Sequence, residues 1–71
     1  MYQFYVINTN QTLNPGLHHE VHTQKHAMEL FIRSSLPLGM CSNEKEAVAK
    51  GSRYFRDADG CAICCPRAHR G

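Results

Sequence analysis

The chain contains no apolar run near the roughly 20 residues that a membrane-spanning helix requires, so no membrane partner is expected. Nor does it open on a targeting segment. Met1 leads straight into Tyr2-Gln3-Phe4-Tyr5-Val6-Ile7, with no basic lead-in and no small-residue cleavage site, which predicts a cytoplasmic protein. Charge of one sign is also scarce: a net +2 is too little to raise a strong surface field. Arg67 and Arg70 make the tail basic, but two arginines do not build the stripe expected of a nucleic-acid binder. There is no glycine-rich phosphate loop, and no nucleophile, base and orienting group can be placed together, so an enzyme is the least supported class.

What is present is the composition of a globular chain, 42% hydrophobic and 20% charged over 71 residues. That length allows a single small domain spanning residues 1–71 with one modest core. Chains below about 70–80 residues commonly need a disulfide, a metal or a partner subunit to be stable. In a cytoplasmic setting, where thiols stay reduced, four cysteines point to metal binding or thiol chemistry sooner than to a disulfide framework.

Tyr2 to Ile7 is aromatic and β-branched, apolar on both faces, and reads as a strand inside a sheet. A polar loop follows, closing on the turn signal Asn14-Pro15-Gly16. Leu17 to His22 is assigned as a second strand, with His18 and His19 exposed in or after the loop. Ala27 to Ile32 fits either a helical turn or a strand, since so brief an apolar run has no readable period. Leu36, Leu38 and Met40 alternate with Pro37, Gly39 and Cys41, a strand that Pro37 confines to a sheet edge or a strand start. Cys41, away from the other cysteines in sequence, is expected to be a small buried hydrophobe.

The clearest element is a helix. Asn43 is placed to cap it, with Glu46 in the capping-box position, and Ala47, Val48, Gly51, Tyr54 and Phe55 form one apolar face. It should end near Arg56, because Asp57-Ala58-Asp59-Gly60 is turn chemistry. The expected architecture is α+β: an antiparallel sheet of about two to four strands packed against one helix over roughly residues 44–55, with Val48, Tyr54 and Phe55 facing the sheet.

The chemistry sits in Gly60-Cys61-Ala62-Ile63-Cys64-Cys65-Pro66-Arg67-Ala68-His69. Cys61 and Cys64 have the Cys-X-X-Cys spacing that lets two thiolates reach one ion from a tight loop, and Zn²⁺ suits thiolate and imidazole donors in a tetrahedral set. His22 and His26 lie four apart, a helical separation, and supply a second pair. Cys65 and His69 also compete, and spacing does not choose among the six candidates for four positions. The first choice is His22, His26, Cys61 and Cys64, with Cys65 and His69 as alternates.

Related motifs fail on single residues. His19-Glu20-Val21-His22 is one position out for a zinc-protease helix, which needs His where Thr23 stands. A haem attachment site needs His where Cys65 stands, and a thioredoxin-like pair needs a helix after it, whereas Pro66 begins a tail of only six residues. Three functions remain open: a zinc-stabilised interaction module, a metal-free domain acting through a protein partner or by homodimerising, and a thiol or redox protein using Cys61, Cys64 and Cys65.

Several segments taken in order resemble a family of short uncharacterised bacterial proteins: Asn14-Pro15-Gly16, His19-Glu20-Val21-His22, Leu38-Gly39 with its helix, and Asp59-Gly60-Cys61-x-x-Cys64-Cys65-Pro66-x-x-His69. The closing segment is the specific part, similar to the family's Gly-Cys-x-x-Cys-Cys-x-x-Cys-His ending. The resemblance implies a compact α+β domain suspected of binding metal, and no activity. It departs at His26 and Ala68, both Cys in the family. Histidine still offers zinc a ligand; alanine does not.

Overall fold

A computed structural model describes residues 2–13 and 16–69. Asn14 and Pro15 of the expected turn, and Arg70 of the tail, lie outside the described residues. The described chain is α+β. Five strands, β1 (Gln3–Asn8), β2 (Thr12–Leu13), β3 (Leu17–Thr23), β4 (Ser35–Cys41) and β5 (Ala58–Gly60), accompany two helices, α1 (Gln24–Glu29) and α2 (Glu44–Gly51). A single 3-10 turn follows at Pro66–Ala68. No helix among the described residues is long and apolar enough to cross a membrane.

β1 lies inside the sheet, antiparallel to β4 on one side and to β3 on the other. Its residues Tyr5, Val6, Ile7 and Asn8 are all buried, as expected of a strand covered on both faces. β4 is an edge strand that tolerates Pro37, and its register against β1 shifts between Tyr5 and Val6 as Gly39 takes φ 82°. β3 pairs with β2 at its start and with β5 farther along.

Side-chain alternation divides β1 and β3 between two faces. Tyr5, Ile7 and Val21 join Leu38, Cys41, Ala47, Val48, Ala58, Cys65 and Ala68 in the main core, under α2. Gly51 brings the end of α2 onto the sheet, since a β-carbon there would stand 3.0 Å from Ile7 Cδ1 and 3.2 Å from Val21 Cγ2. Val6 and His22, paired across the ladder, point to the opposite face, where α1 packs on β1 and β3.

α2 starts as its sequence dictates. Asn43 Oδ1 accepts from the Glu46 backbone N–H at 2.8 Å, while Glu46 Oε1 accepts from the backbone N–H and hydroxyl of Ser42. These bonds hold the Glu46 carboxyl below its usual range. Asn43→Ala should therefore cost about 1 kcal/mol, lowering the melting temperature by about 4–8 °C in a thermal unfolding scan. An unchanged melting curve would show that the cap contributes nothing to folding.

Four expectations need correction. The sheet is mixed, not wholly antiparallel, because the turn ends at Asp57: Ala58–Gly60 is a buried strand parallel to β3, pairing His19 with Ala58 and Val21 with Gly60. Turn propensity loses there to tertiary pairing, since small residues fit a narrow slot under α2. Regular helix stops at Gly51, a poor helix former, and continues as turns closed by Arg53 N–H to Lys50 O and Phe55 N–H to Gly51 O. Tyr54 consequently leaves the helical phase and is 58% exposed, while Phe55 still packs on the core. Finally, His18 and His19 are not exposed loop residues but half-buried members of β3.

Candidate metal centre

Three elements meet on the α1 face of the sheet. β3 supplies His22, which is fully buried. Its next residue, Thr23, caps α1 through its hydroxyl, accepting from the His26 N–H at 3.2 Å. The cap turns the chain sharply from strand into helix, so His26 swings back beside His22, with ring centroids 5.7 Å apart. The helical separation of the pair is thus only half the reason they meet, because His22 itself is in a strand.

The cysteines arrive from β5. Cys61 N–H donates to Val21 O at 3.0 Å, extending the parallel pairing by one residue and pinning the loop to β3. Cys65 N–H donates to Cys61 O at 2.8 Å and closes a tight turn around Cys61–Cys64. Within it, backbone N–H groups of Cys64 and Ile63 point at the Cys61 sulfur, and that of Thr23 at the Cys64 sulfur. Donors aimed at sulfur are what a thiolate requires, with or without an ion beside it.

The result is a group of four ligand atoms, one each from His22, His26, Cys61 and Cys64, all within 4.8 Å of one another. Such a group could hold a metal ion. Ligand atoms of a regular tetrahedral zinc site lie about 3.4–3.8 Å apart, given Zn–S near 2.3 Å and Zn–N near 2.0–2.1 Å. His22 Nδ1 to Cys64 Sγ, at 3.8 Å, already meets that separation. The donors also fit by what they lack. His26 Nε2 is buried without a hydrogen-bond partner, an arrangement that an ion would satisfy. Cys64 also borders an open cleft lined by Gln3, Tyr5, Asn43 and Arg67.

The thiols differ in acidity. The Cys64 thiol is drawn down to about 4, chiefly by its contact with the Cys65 sulfur 3.8 Å away, with His22 and the Thr23 N–H adding to the effect against burial. Cys65 moves the other way, since it holds the proton that it shares with Cys64 and is buried as well. Burial also raises the Cys61 thiol, although the N–H groups of Cys64 and Ile63 oppose it. A lowered thiol favours the thiolate form, which is the form a cation binds.

Neither alternate joins the group. Cys65 is fully buried in the main core, although its sulfur lies 3.8 Å from that of Cys64, and His69 Nδ1 lies 3.1 Å from Gly60 O and 3.7 Å from Asp59 Oδ2. Cys41 is likewise buried in the core, as a small hydrophobe. All four cysteines are free thiols.

One polar cluster has no counterpart in the sequence reading. His19 stacks on Phe55 with centroids 3.8 Å apart, and its Nδ1 meets Asp57 Oδ1 at 2.5 Å. Gln11 Nε2 donates to the other oxygen of Asp57 at 2.6 Å. Burial works against the Asp57 charge, but the bonds from Gln11 and His19 outweigh it and hold its carboxyl below the usual range. The cluster ties the segment after α2 to β3. Alternation along β3 was the available signal, as it sends His19 to the face opposite His22.

No family model matches the chain, and no curated protein or solved structure matches it significantly. The likeness to short bacterial proteins therefore rests on the motifs alone.

Proposed function

We propose that this protein is a small zinc-stabilised domain that works as an interaction module. The observation that carries the reading is the convergence of His22, His26, Cys61 and Cys64, whose donor atoms lie within 4.8 Å of one another. Two thiolates and two imidazoles suit Zn²⁺ better than the hard cations, which prefer oxygen. With four protein donors the coordination is complete, so the role is structural: nothing is left open for a reacting water. Tying β3 and α1 to the loop after β5 is the stabiliser that so short a chain needs. The interaction role is supported by Met28, Leu30 and Phe31 at the end of α1, exposed by 71, 45 and 86%. Phe31 is held outward in a left-handed conformation, φ 56°, that a bulky residue adopts at a cost.

Elemental analysis of protein purified without chelator should find about one zinc per chain, as a four-ligand site demands. Absence of zinc, together with a spectrum that ignores added zinc, would end the reading. Mass in solution then separates a monomer from a homodimer. A second reading, thiol chemistry at Cys64 and Cys65, is favoured by their 3.8 Å sulfur separation and the lowered Cys64 thiol. It expects Cys64 to alkylate equally fast with and without zinc, whereas a zinc ligand is protected.

A further inference from the structure

We propose that Glu20 is the positioning residue of this centre, fixing His22 in the tautomer that presents Nδ1 to the ion, while His26 binds through Nε2. The inference rests on the zinc reading and adds to it a residue and a pair of defined coordinating atoms.

Glu20 and His22 alternate along β3 and so project from the same face. Both are withdrawn from solvent, with side chains 13 and 1% exposed. Glu20 Oε1 lies 3.3 Å from His22 Nε2, on the far side of the ring from the thiols, while Nδ1 lies 3.8 Å from Cys64 Sγ. Nε2 is buried and makes no aligned hydrogen bond. A neutral imidazole carries one proton. If Nδ1 gives its lone pair to the ion, that proton stays on Nε2, facing the Glu20 carboxylate 3.3 Å away. The opposite tautomer sets the Nε2 lone pair against a carboxylate oxygen, which is repulsive in a poorly solvated site. A carboxylate behind a metal-bound imidazole fixes the ring and raises its basicity.

His26 is arranged in reverse. Its Nδ1 lies 3.4 Å from Glu29 Oε1 and its Nε2 is buried without a partner. Glu29 is 62% exposed on its side chain, so water screens it and its support of His26 is weak.

The test uses the full chain loaded with zinc. Long-range proton–nitrogen correlation spectra of the ¹⁵N-labelled protein should show His22 coordinating through Nδ1 with Nε2 protonated, and His26 coordinating through Nε2. Glu20→Gln should weaken zinc affinity about 10–100-fold in a chelator competition titration. Glu29→Gln, a surface change, should weaken it about threefold or less. Melting of the metal-free Glu20→Gln chain should match that of the metal-free parent, which separates a metal effect from a packing effect. Coordination of His22 through Nε2, or an unchanged affinity in Glu20→Gln, overturns the proposal even where zinc binds. A parent chain that takes up no zinc overturns the zinc reading instead, and this inference with it. The spectra of the parent chain decide the coordinating atom even if Glu20→Gln does not fold.

Discussion

Zinc at about a hundredfold excess over its dissociation constant should raise the melting temperature of the metal-free chain by about 11–22 °C. A ligand at that concentration that binds only the folded state adds about 2.7 kcal/mol, and a chain of 60–100 residues melts about 4–8 °C higher per kcal/mol. Cys61→Ser and Cys64→Ser should each abolish the zinc-dependent shift, because a hydroxyl is a poor substitute for a thiolate on this ion. Cys41→Ser is the control. Cys41 lies in the main core and is not one of the four ligands, so its replacement should cost about 1–3 kcal/mol of packing and polar burial while leaving the shift intact. A calorimetric scan with and without zinc decides the matter, and a parent melting curve indifferent to zinc refutes the expectation.

Acid should erase the zinc effect, since protons compete for both thiolate and imidazole donors. The metal-free chain has its own pH dependence, with two opposing signs. Cys64 is lowered in the folded state, so its contribution is complete above the unfolded thiol value of about 8.5 and is lost as pH falls toward about 4. Cys61 and Cys65 are raised, so theirs is complete below the unfolded value and is lost as pH rises through their folded values. Thiol-linked stability of the metal-free chain should therefore peak near pH 8–9, about the unfolded thiol value. Urea midpoints measured across that range, and again in Cys64→Ser, where the acid-side decline should shrink, give the check.

The second large effect belongs to Gly60. A β-carbon there would lie 2.8 Å from Cys65 O, 3.0 Å from Ala68 C and 3.1 Å from Ala68 Cβ. Two of those atoms are backbone, so the crowding cannot be relieved by a side-chain rotation. Gly60→Ala should destabilise the chain by about 1–3 kcal/mol, as overpacking in a close-packed interior does, a fall of about 4–24 °C in melting temperature. The strain falls on the segment that closes the cysteine turn, so zinc affinity should drop as well. If Gly60→Ala melts like the parent and binds zinc equally, the close approach of β5 to the final turn is not a constraint on folding.

Much of this was legible locally. Aromatic and β-branched residues marked β1, Pro37 marked β4 as an edge or a strand start, and Asn43 with Glu46 marked the start of α2, whereas β3 carried no firm local signal. Each of those signals acts over a few residues, so one chain segment carries all of it. Cys61 and Cys64 were legible as a ligand pair for the same reason: a single tight turn brings them together. The partner pair was named from its spacing, but the geometry that joins it was not legible. His22 and His26 face each other across a strand-to-helix corner set by the Thr23 cap, and nothing in their spacing distinguishes that from one turn of helix.

The sequence by itself determined that this is an α+β chain with clustered soft donors, because composition, period and capping are local properties. Tertiary structure alone decided that Ala58–Gly60 forms a buried parallel strand, and that the loop after it brings Cys61 and Cys64 beside the two histidines of β3 and α1. The reason is energetic. Burial and pairing between segments far apart in the chain outweigh local turn preference. Of the six candidates, His22, His26, Cys61 and Cys64 are the four whose donor atoms the fold gathers within 4.8 Å of one another, while Cys65 is buried in the core and His69 lies beside Gly60.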